Sequence, residues 1–414
     1  MDSVPQEQHE SPNGPVATVD IAPRKRPRAV KGRLVGVSSD APAVSGHEVP
    51  ALEAPGADVD NPAPGYSARN SDQAPAALGG VAASYPPGVV DAPAGLPDLR
   101  RKAPAPVVPW PLRVQRRLKE ATRPGRVEAE HDAAIAGLLP RIAGRTHIIG
   151  VIGPKGGAGK STAALTLGLV LAQYAGARPV LCELNPDWGT LDELLGRPPA
   201  RTIQDVLRDY TAIDRAGIGL LQGYLTMFGR LPVLTVPNDP EAMSRLAPRD
   251  YERVLRLLSA HFSPLILDCG TAFTQRLNQY AIQHSDHLVV VGWPEQATMR
   301  KTLGAIDYLA SARYAQDYRG VLAETERAEV RARTLDDITL AVNGAGHASA
   351  GDPIDLAKVR QAAAGLNAVI ELPFSRALRR LLADGTLTMD ALPAPYRRAV
   401  KKLLVAVLGR LADV

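Results

Sequence analysis

Residues 147–162 read "HIIGVIGPKGGAGKST", an unbroken apolar run that passes straight into a glycine-rich loop with two lysines and then into a helix-compatible stretch. Few folds accommodate such a passage. The apolar run suits a strand covered on both faces, and glycines directly after it let the backbone wrap around an anion with its N–H groups pointing inward. An amphipathic helix, expected over 161–174, would add its unpaired first-turn N–H groups and its dipole. Gly156, Gly157 and Gly159, with Ala158 between them, form the expected phosphate cradle. Lys160 supplies positive charge to β- and γ-phosphates, Ser161 offers a hydroxyl to Mg²⁺, and Thr162 is placed to bond a phosphate from the first helical turn. Lys155 is left over, because a cradle of this kind needs one lysine.

The surrounding sequence repeats the same alternation. "HIIGVIG", "RPVLCEL", "LPVLTV", "PLILDCG", "DHLVVVGW", "DITLAVNG" and "AVIELP" are continuous apolar runs, as expected of strands buried on both faces. Stretches such as 161–174, 240–259 and 295–313 suit helices. Strand followed by helix, several times over, predicts an α/β fold: a doubly wound, mostly parallel sheet with helices on both sides, over residues 145–414.

The N-terminal part is different in kind. Of the 36 prolines, 19 lie in residues 1–111, among Ala, Gly and Ser with hardly any aromatic or long aliphatic residue. Such a stretch cannot bury enough apolar surface to offset the ordering of its backbone, so residues 1–110 are expected to be a disordered arm. Residues 111–144 carry Leu and Val among Arg and Glu and are expected to form a helical basic linker. The net charge of +5 is concentrated in clusters, Arg24 to Arg33 and Arg100 to Arg126, which read as solvated charge permissive of polyanions. Cys182 and Cys269, the only cysteines, each end an apolar run and are expected to be buried, reduced thiols. With no basic start followed by an apolar stretch and no apolar segment of membrane-spanning length, a cytoplasmic location is expected.

The strict pattern G-x-x-x-x-G-K-[ST] is not met, since Pro154 stands where its first glycine belongs. The loop fits K-G-G-x-G-K-[ST] instead, and in this it resembles the deviant Walker A motif of the MinD/ParA family of P-loop ATPases. The resemblance implies ATP and Mg²⁺ as ligands and a homodimer with the nucleotides sandwiched. It also accounts for Lys155, which would reach across the dimer interface to the phosphates held by the partner. Further motifs follow in the family's order. "PLILDCG" resembles its Walker B strand, so Asp268 would hold Mg²⁺ together with Ser161, and Gly270 resembles the switch II position. Pro294 and Glu295 match a Pro-Glu turn at the site's edge, while Asn343 and Pro373 resemble residues that bond and pack against adenine.

One position departs from the family. Its second strand usually ends in D-x-D-P, whereas "CELNPDWGTLDELLG" places Glu183 at the first aspartate and Asn185 at the second. An amide can position a water through its carbonyl oxygen but lacks the charge of a competent base, so hydrolysis is expected to be slow or to draw on Asp187. The N-P-D-x-G-T-L variant, the Pro-rich arm and the basic segment resemble MinD-like ATPases associated with type VII secretion.

Two functions fit. One is an ATP-dependent dimerising switch whose Mg²⁺-dependent hydrolysis serves positioning, partitioning or secretion-related assembly. The other is a nucleotide-gated binding module with negligible turnover that recruits a protein partner through its Pro-rich arm. Residues 396–411 place Tyr396, Val400, Leu403, Leu404, Val407 and Leu411 on one helical face; this suits either a helix lying on an anionic membrane or, as preferred here, the domain's final helix packed on the sheet. Arg376, Arg379 and Arg380 offer a basic surface for non-specific DNA binding if exposed. The expected location therefore extends to the membrane or nucleoid periphery.

Overall fold

The computed structural model describes residue 99 and residues 124–185, 189, 191–319, 333–347 and 354–413. The expected disorder of the arm, apart from Leu99, and most of the expected linker lie outside the described residues, as does Asp187.

All seven apolar runs form strands: β1 (Ile148–Ile152), β2 (Val180–Leu184), β4 (Leu231–Leu234), β5 (Leu265–Cys269), β6 (His287–Gly292), β7 (Ile338–Ala345) and β8 (Ala368–Pro373). An eighth, β3 (Thr226–Phe228), is a short edge strand. The order across the sheet is β3-β4-β2-β5-β1-β6-β7-β8, parallel throughout except for the antiparallel pairing of β3 with β4. Strand β1 lies in the middle, with Val151 opposite Asp268 of β5 on one side and Val289 of β6 on the other. From β1 the chain winds outward to β2, returns at β5, and crosses to β6, β7 and β8. That reversal makes the carboxyl ends of the central strands the crevice where open α/β sheets bind ligands.

Each face of the sheet carries its own apolar layer. One joins the sheet to the helices Pro248–Ser259, Arg276–His284 and Gln296–Leu309 through residues such as Tyr251, Val254, Ile282, Met299 and Ile306. The other joins it to four helices labelled here α1 (Pro124–Ile142), α2 (Lys160–Leu171), α3 (Arg376–Ala383) and α4 (Ala394–Ala412).

Helix α2 differs from the amphipathic helix expected. From Ala163 to Leu171 every residue is buried, because α4 lies over the side that would otherwise face water. A helix apolar all round belongs in an interior, and this one is the buried stem of the glycine-rich loop.

Helix α4 is the domain's final helix packed on the sheet, as preferred from the sequence. Tyr396, Val400, Leu403, Leu404, Val407, Leu408 and Leu411 are all buried. The apolar face that a membrane would need is therefore already covered by protein. Its polar flank is anchored too: Glu128 of α1 accepts from Arg397 Nε at 2.6 Å and Lys401 Nζ at 2.9 Å. Asp132 lies 2.7 Å from the same ammonium. The Arg397 guanidinium, ahead of Lys401, holds the Glu128 carboxyl down at about 2. Ile135, Leu139 and Ile142 are buried alongside, so α1 packs into the same apolar layer as α4.

One residue of the N-terminal region is described as well. Leu99 has no exposed surface, belongs to the same apolar layer as Tyr251 and Leu340, and its carbonyl accepts from Asp355 N at 2.8 Å. A residue expected in the disordered arm is thus part of the core.

Candidate functional site

The parallel strands all point their carboxyl ends to one edge, and the sequence-predicted residues collect there: the loop after β1, Asn185 after β2, Asp268 in β5, Glu295 after β6, Asn343 in β7 and Pro373 in β8.

In the loop, Gly157 and Gly159 take φ of 73° and 89°, a region open to glycine. Gly159 has a second constraint, because a Cβ there would run into the side-chain amide of Asn343. A Cβ at Gly156 or Gly157 would meet nothing, so the cradle is an open concavity. Gly159 caps α2 without a side-chain hydrogen bond, which leaves the first-turn amides facing it. Lys160 is buried at the start of that helix, and Ser161 and Thr162 are half-buried beside it.

Asp268 is a buried carboxylate in β5. It is only 1 % exposed, and neither carboxylate oxygen has a partner of good hydrogen-bond geometry. Burial pushes its carboxyl up to about 6, against the opposing pull of the Ser161 hydroxyl and the Lys160 charge. A buried carboxylate in this condition is costly unless a cation or donor completes it. The residues fit a divalent ion: two hard oxygen donors, Ser161 and Asp268, at the rim of a phosphate cradle suit Mg²⁺, which takes few protein ligands and shares phosphate oxygens. No cluster of three or more His, Cys, Asp or Glu able to cage a metal occurs among the described residues.

Lys155 stands at the rim, its side chain 50 % exposed. Its ammonium donates to Glu295 Oε2 at 3.2 Å and Thr298 Oγ1 at 3.1 Å. The contact with Lys155, followed by the Thr298 hydroxyl, lowers the Glu295 carboxyl below its ordinary range.

Asn343 donates from Nδ2 to the Ala158 carbonyl at 2.9 Å, tying β7 to the loop. It and Pro373 line a pocket of about 370 Å³ that runs from Gly157, Gly159 and Thr162 to a wall of Trp293, His347 and Phe374. His347 lies tilted by 38° against Phe374 with ring centres 4.0 Å apart and meets the Trp293 edge at 5.9 Å. Sequence reasoning missed this wall. Its members lie in three loops whose approach depends on the order of β6, β7 and β8, although their positions just after strand ends were a usable signal.

At the end of β2, Glu183 does not face the cradle. It is buried, and its two oxygens accept from Leu191 N at 3.2 Å and Val236 N at 3.3 Å, pinning the segments that follow β2 and β4. Asn185 lies half-buried at the strand's end. Both cysteines are fully buried free thiols, pushed up by burial and unsuited to an exposed cluster. Arg376, Arg379 and Arg380 are exposed on α3, next to the aromatic pocket. No helix among the described residues is long and apolar enough to cross a membrane.

Comparisons with known proteins add the following. No family model matches this chain. Over 166 residues, 40 % of its length, it is 28 % identical to the ESX-1 secretion-associated protein EspI of Mycobacterium tuberculosis strains CDC 1551 and H37Rv. The chain spans about a quarter of the length of those relatives (25 %). Among solved structures it is similar to a ParA family ATPase from Chlorobium tepidum, at 17 % identity and a TM-score of 0.48 over 63 % of this chain and 98 % of the other. It is also similar to the septum site-determining protein MinD from Pyrococcus horikoshii complexed with Mg-ADP, at 20 % identity and a TM-score of 0.47 over 62 % and 95 % of the two chains.

Proposed function

We propose that this chain is an ATP-dependent dimerising switch of the MinD/ParA type, binding ATP with Mg²⁺ and hydrolysing it slowly. The observation that carries the reading is the buried Asp268 carboxylate, its charge answered only by Ser161 and Lys160, beside a glycine-rich loop with a second lysine at its rim.

In this reading the amides of Gly156, Gly157, Ala158, Gly159, Lys160 and Ser161 hold the phosphates, Thr162 adds a hydroxyl, and Lys160 neutralises charge from below. Ser161 and Asp268 hold the metal, whose role is to neutralise charge on the phosphates. Asn343 and Pro373 position the base against Trp293, His347 and Phe374. Lys155 serves the partner subunit's nucleotide, so two chains close face to face. Asn185 orients the attacking water, with Asp187 as the alternative donor of a carboxylate.

The nucleotide-gated module remains a second reading because of a specific feature. At the end of β2 the family's carboxylate pair is reduced to Glu183, which is committed to backbone amides, and Asn185, which carries no charge. Steady-state ATP turnover by the full chain separates the two. Turnover that Lys155→Ala reduces by about 100-fold or more, the scale of a lost transition-state cation, supports the switch. ATP binding without turnover, restored by Asn185→Asp, supports the module.

The secretion-associated name of the relative favours a secretion-related assembly as cargo, and the Pro-rich arm is the segment suited to recruit it. The exposed Arg376, Arg379 and Arg380 make duplex DNA the polymer to test for acceleration. Anionic vesicles are the counterpart test for a membrane.

Occupancy of the aromatic pocket has its own readout. The chain has three tryptophans, and Trp293 lines the pocket. Addition of ATP or ADP should change tryptophan emission by tens of per cent through stacking at about 4.5–7 Å. Trp293→Phe should lose that response, and a response unchanged in this variant would place the base elsewhere.

A further inference from the structure

The position of Lys155 raises a question that the proposed switch does not answer: where is a lysine intended for the partner's phosphates kept before the partner arrives? We infer that Glu295 and Thr298 are positioning residues that hold Lys155 on its own subunit and release it when two nucleotide-loaded chains meet. This rests on the dimerising reading above.

Three observations carry it. First, the geometry is a closed triangle: Lys155 Nζ donates to Glu295 Oε2 and Thr298 Oγ1, and the Thr298 hydroxyl donates to the same Glu295 oxygen at 3.1 Å. The threonine is 2 % exposed and cannot turn away, so it fixes the carboxylate to which the lysine docks. Second, the triangle sits on the first turn of the helix Gln296–Leu309, with Glu295 at its N-cap. A helix N-terminus repels an ammonium, so Lys155 rests there only because the Glu295 carboxylate reverses the local sign. Third, Lys155 and Glu295 remain 50 % and 42 % exposed, so their pairing can exchange for a stronger anion without disturbing the core.

The latch is also joined to the nucleotide pocket. Glu295 follows Trp293 by two residues, and its N–H bonds the Trp293 carbonyl at 2.8 Å, while the Trp293 ring lines the pocket. A base seated against Trp293 would act on the turn that carries the carboxylate.

The test uses the full chain, with Glu295→Gln, Lys155→Ala and the double variant. Two readouts are taken. In the nucleotide-free protein, the acylation rate of Lys155 by an amine-reactive ester is followed by peptide mass spectrometry. With a non-hydrolysable ATP analogue and Mg²⁺, the dimer dissociation constant is measured by sedimentation.

Glu295→Gln should speed Lys155 acylation severalfold and tighten the dimer by about 2- to 30-fold, the range for two exposed ion pairs released per dimer. The tightening should vanish in the Lys155→Ala background, which a merely structural role for Glu295 would not require. Unchanged acylation overturns the latch, as does a dimer that is no tighter or a gain that persists without Lys155. Faster acylation with no dimer in any variant overturns the dimerising reading and, with it, the release step. A dimer that forms normally while Glu295→Gln has no effect overturns the latch alone.

Discussion

Asp268→Asn should make the nucleotide-free protein more stable at neutral pH and, in the same variant, abolish the contribution of Mg²⁺ to nucleotide binding. The two effects have one origin. The Asp268 carboxyl, ordinarily at 3.8, is pushed up to about 6 by burial in β5. Between those values the folded state holds a proton that the unfolded state has lost, so stability falls as pH rises through the window. The deficit is complete above about 6, and a rise of this size corresponds to about 3 kcal/mol. An amide of the same shape carries no charge and escapes it. Calorimetric unfolding should therefore show the variant ahead by several degrees at pH 7.5, with the advantage shrinking toward pH 4. Its ATP affinity in Mg²⁺ should fall to the parent's value in EDTA. If Asp268 were only a strand-end carboxylate, the gain in stability would remain, because burial alone causes it, but the Mg²⁺ response would survive the substitution.

This trade between stability and ligand binding fits the way the site is built. Of the buried charged residues, Glu183 and Lys401 are tied to protein groups, whereas Lys160 and Asp268 stand where a polyanion and its cation would complete them. The groups at the rim, Lys155 and Glu295, stay wet and exchangeable.

The strands were legible because burial on both faces of a parallel sheet writes a continuous apolar run, and nothing else in "PLILDCG" or "DHLVVVGW" competes with that reading. The glycine-rich loop stood out because its residues are local: glycines, lysine and serine within nine residues of one strand. What escaped depends on distant segments meeting. Nothing in "CELNPDWGTLDELLG" announces that Glu183 serves the backbone of Leu191 and Val236, one of them 53 positions away. Helix α2 was expected to have a wet face because the covering helix, α4, is more than 220 residues later in the chain. Strand β3 was too short to leave a pattern, and Trp293, His347 and Phe374 carry no signal of joint purpose until β6, β7 and β8 are laid side by side.

The N-terminal region offers the sharpest test of that difference between composition and placement. Leu99 lies in a stretch whose proline and alanine content argues against any core, and it is fully buried. Its carbonyl accepts from Asp355 N, and Asp355 caps the helix Leu356–Ala362 through Ala357 N at 2.9 Å. One residue thus fills an apolar site and satisfies the backbone at a helix start. Leu99→Ala should destabilise the full chain by about 2–5 kcal/mol, the cost of an emptied leucine site. At about 2–4 °C per kcal/mol for a domain of this size, the midpoint should drop by roughly 10 °C. Leu99→Met should lose less than about 1.5 kcal/mol, because it refills the volume. A chain starting at residue 111 lacks this residue altogether and should unfold at least as early as Leu99→Ala. If instead Leu99→Ala unfolds with the parent, the core begins after the arm, as composition alone would have it, and Asp355 caps its helix unaided.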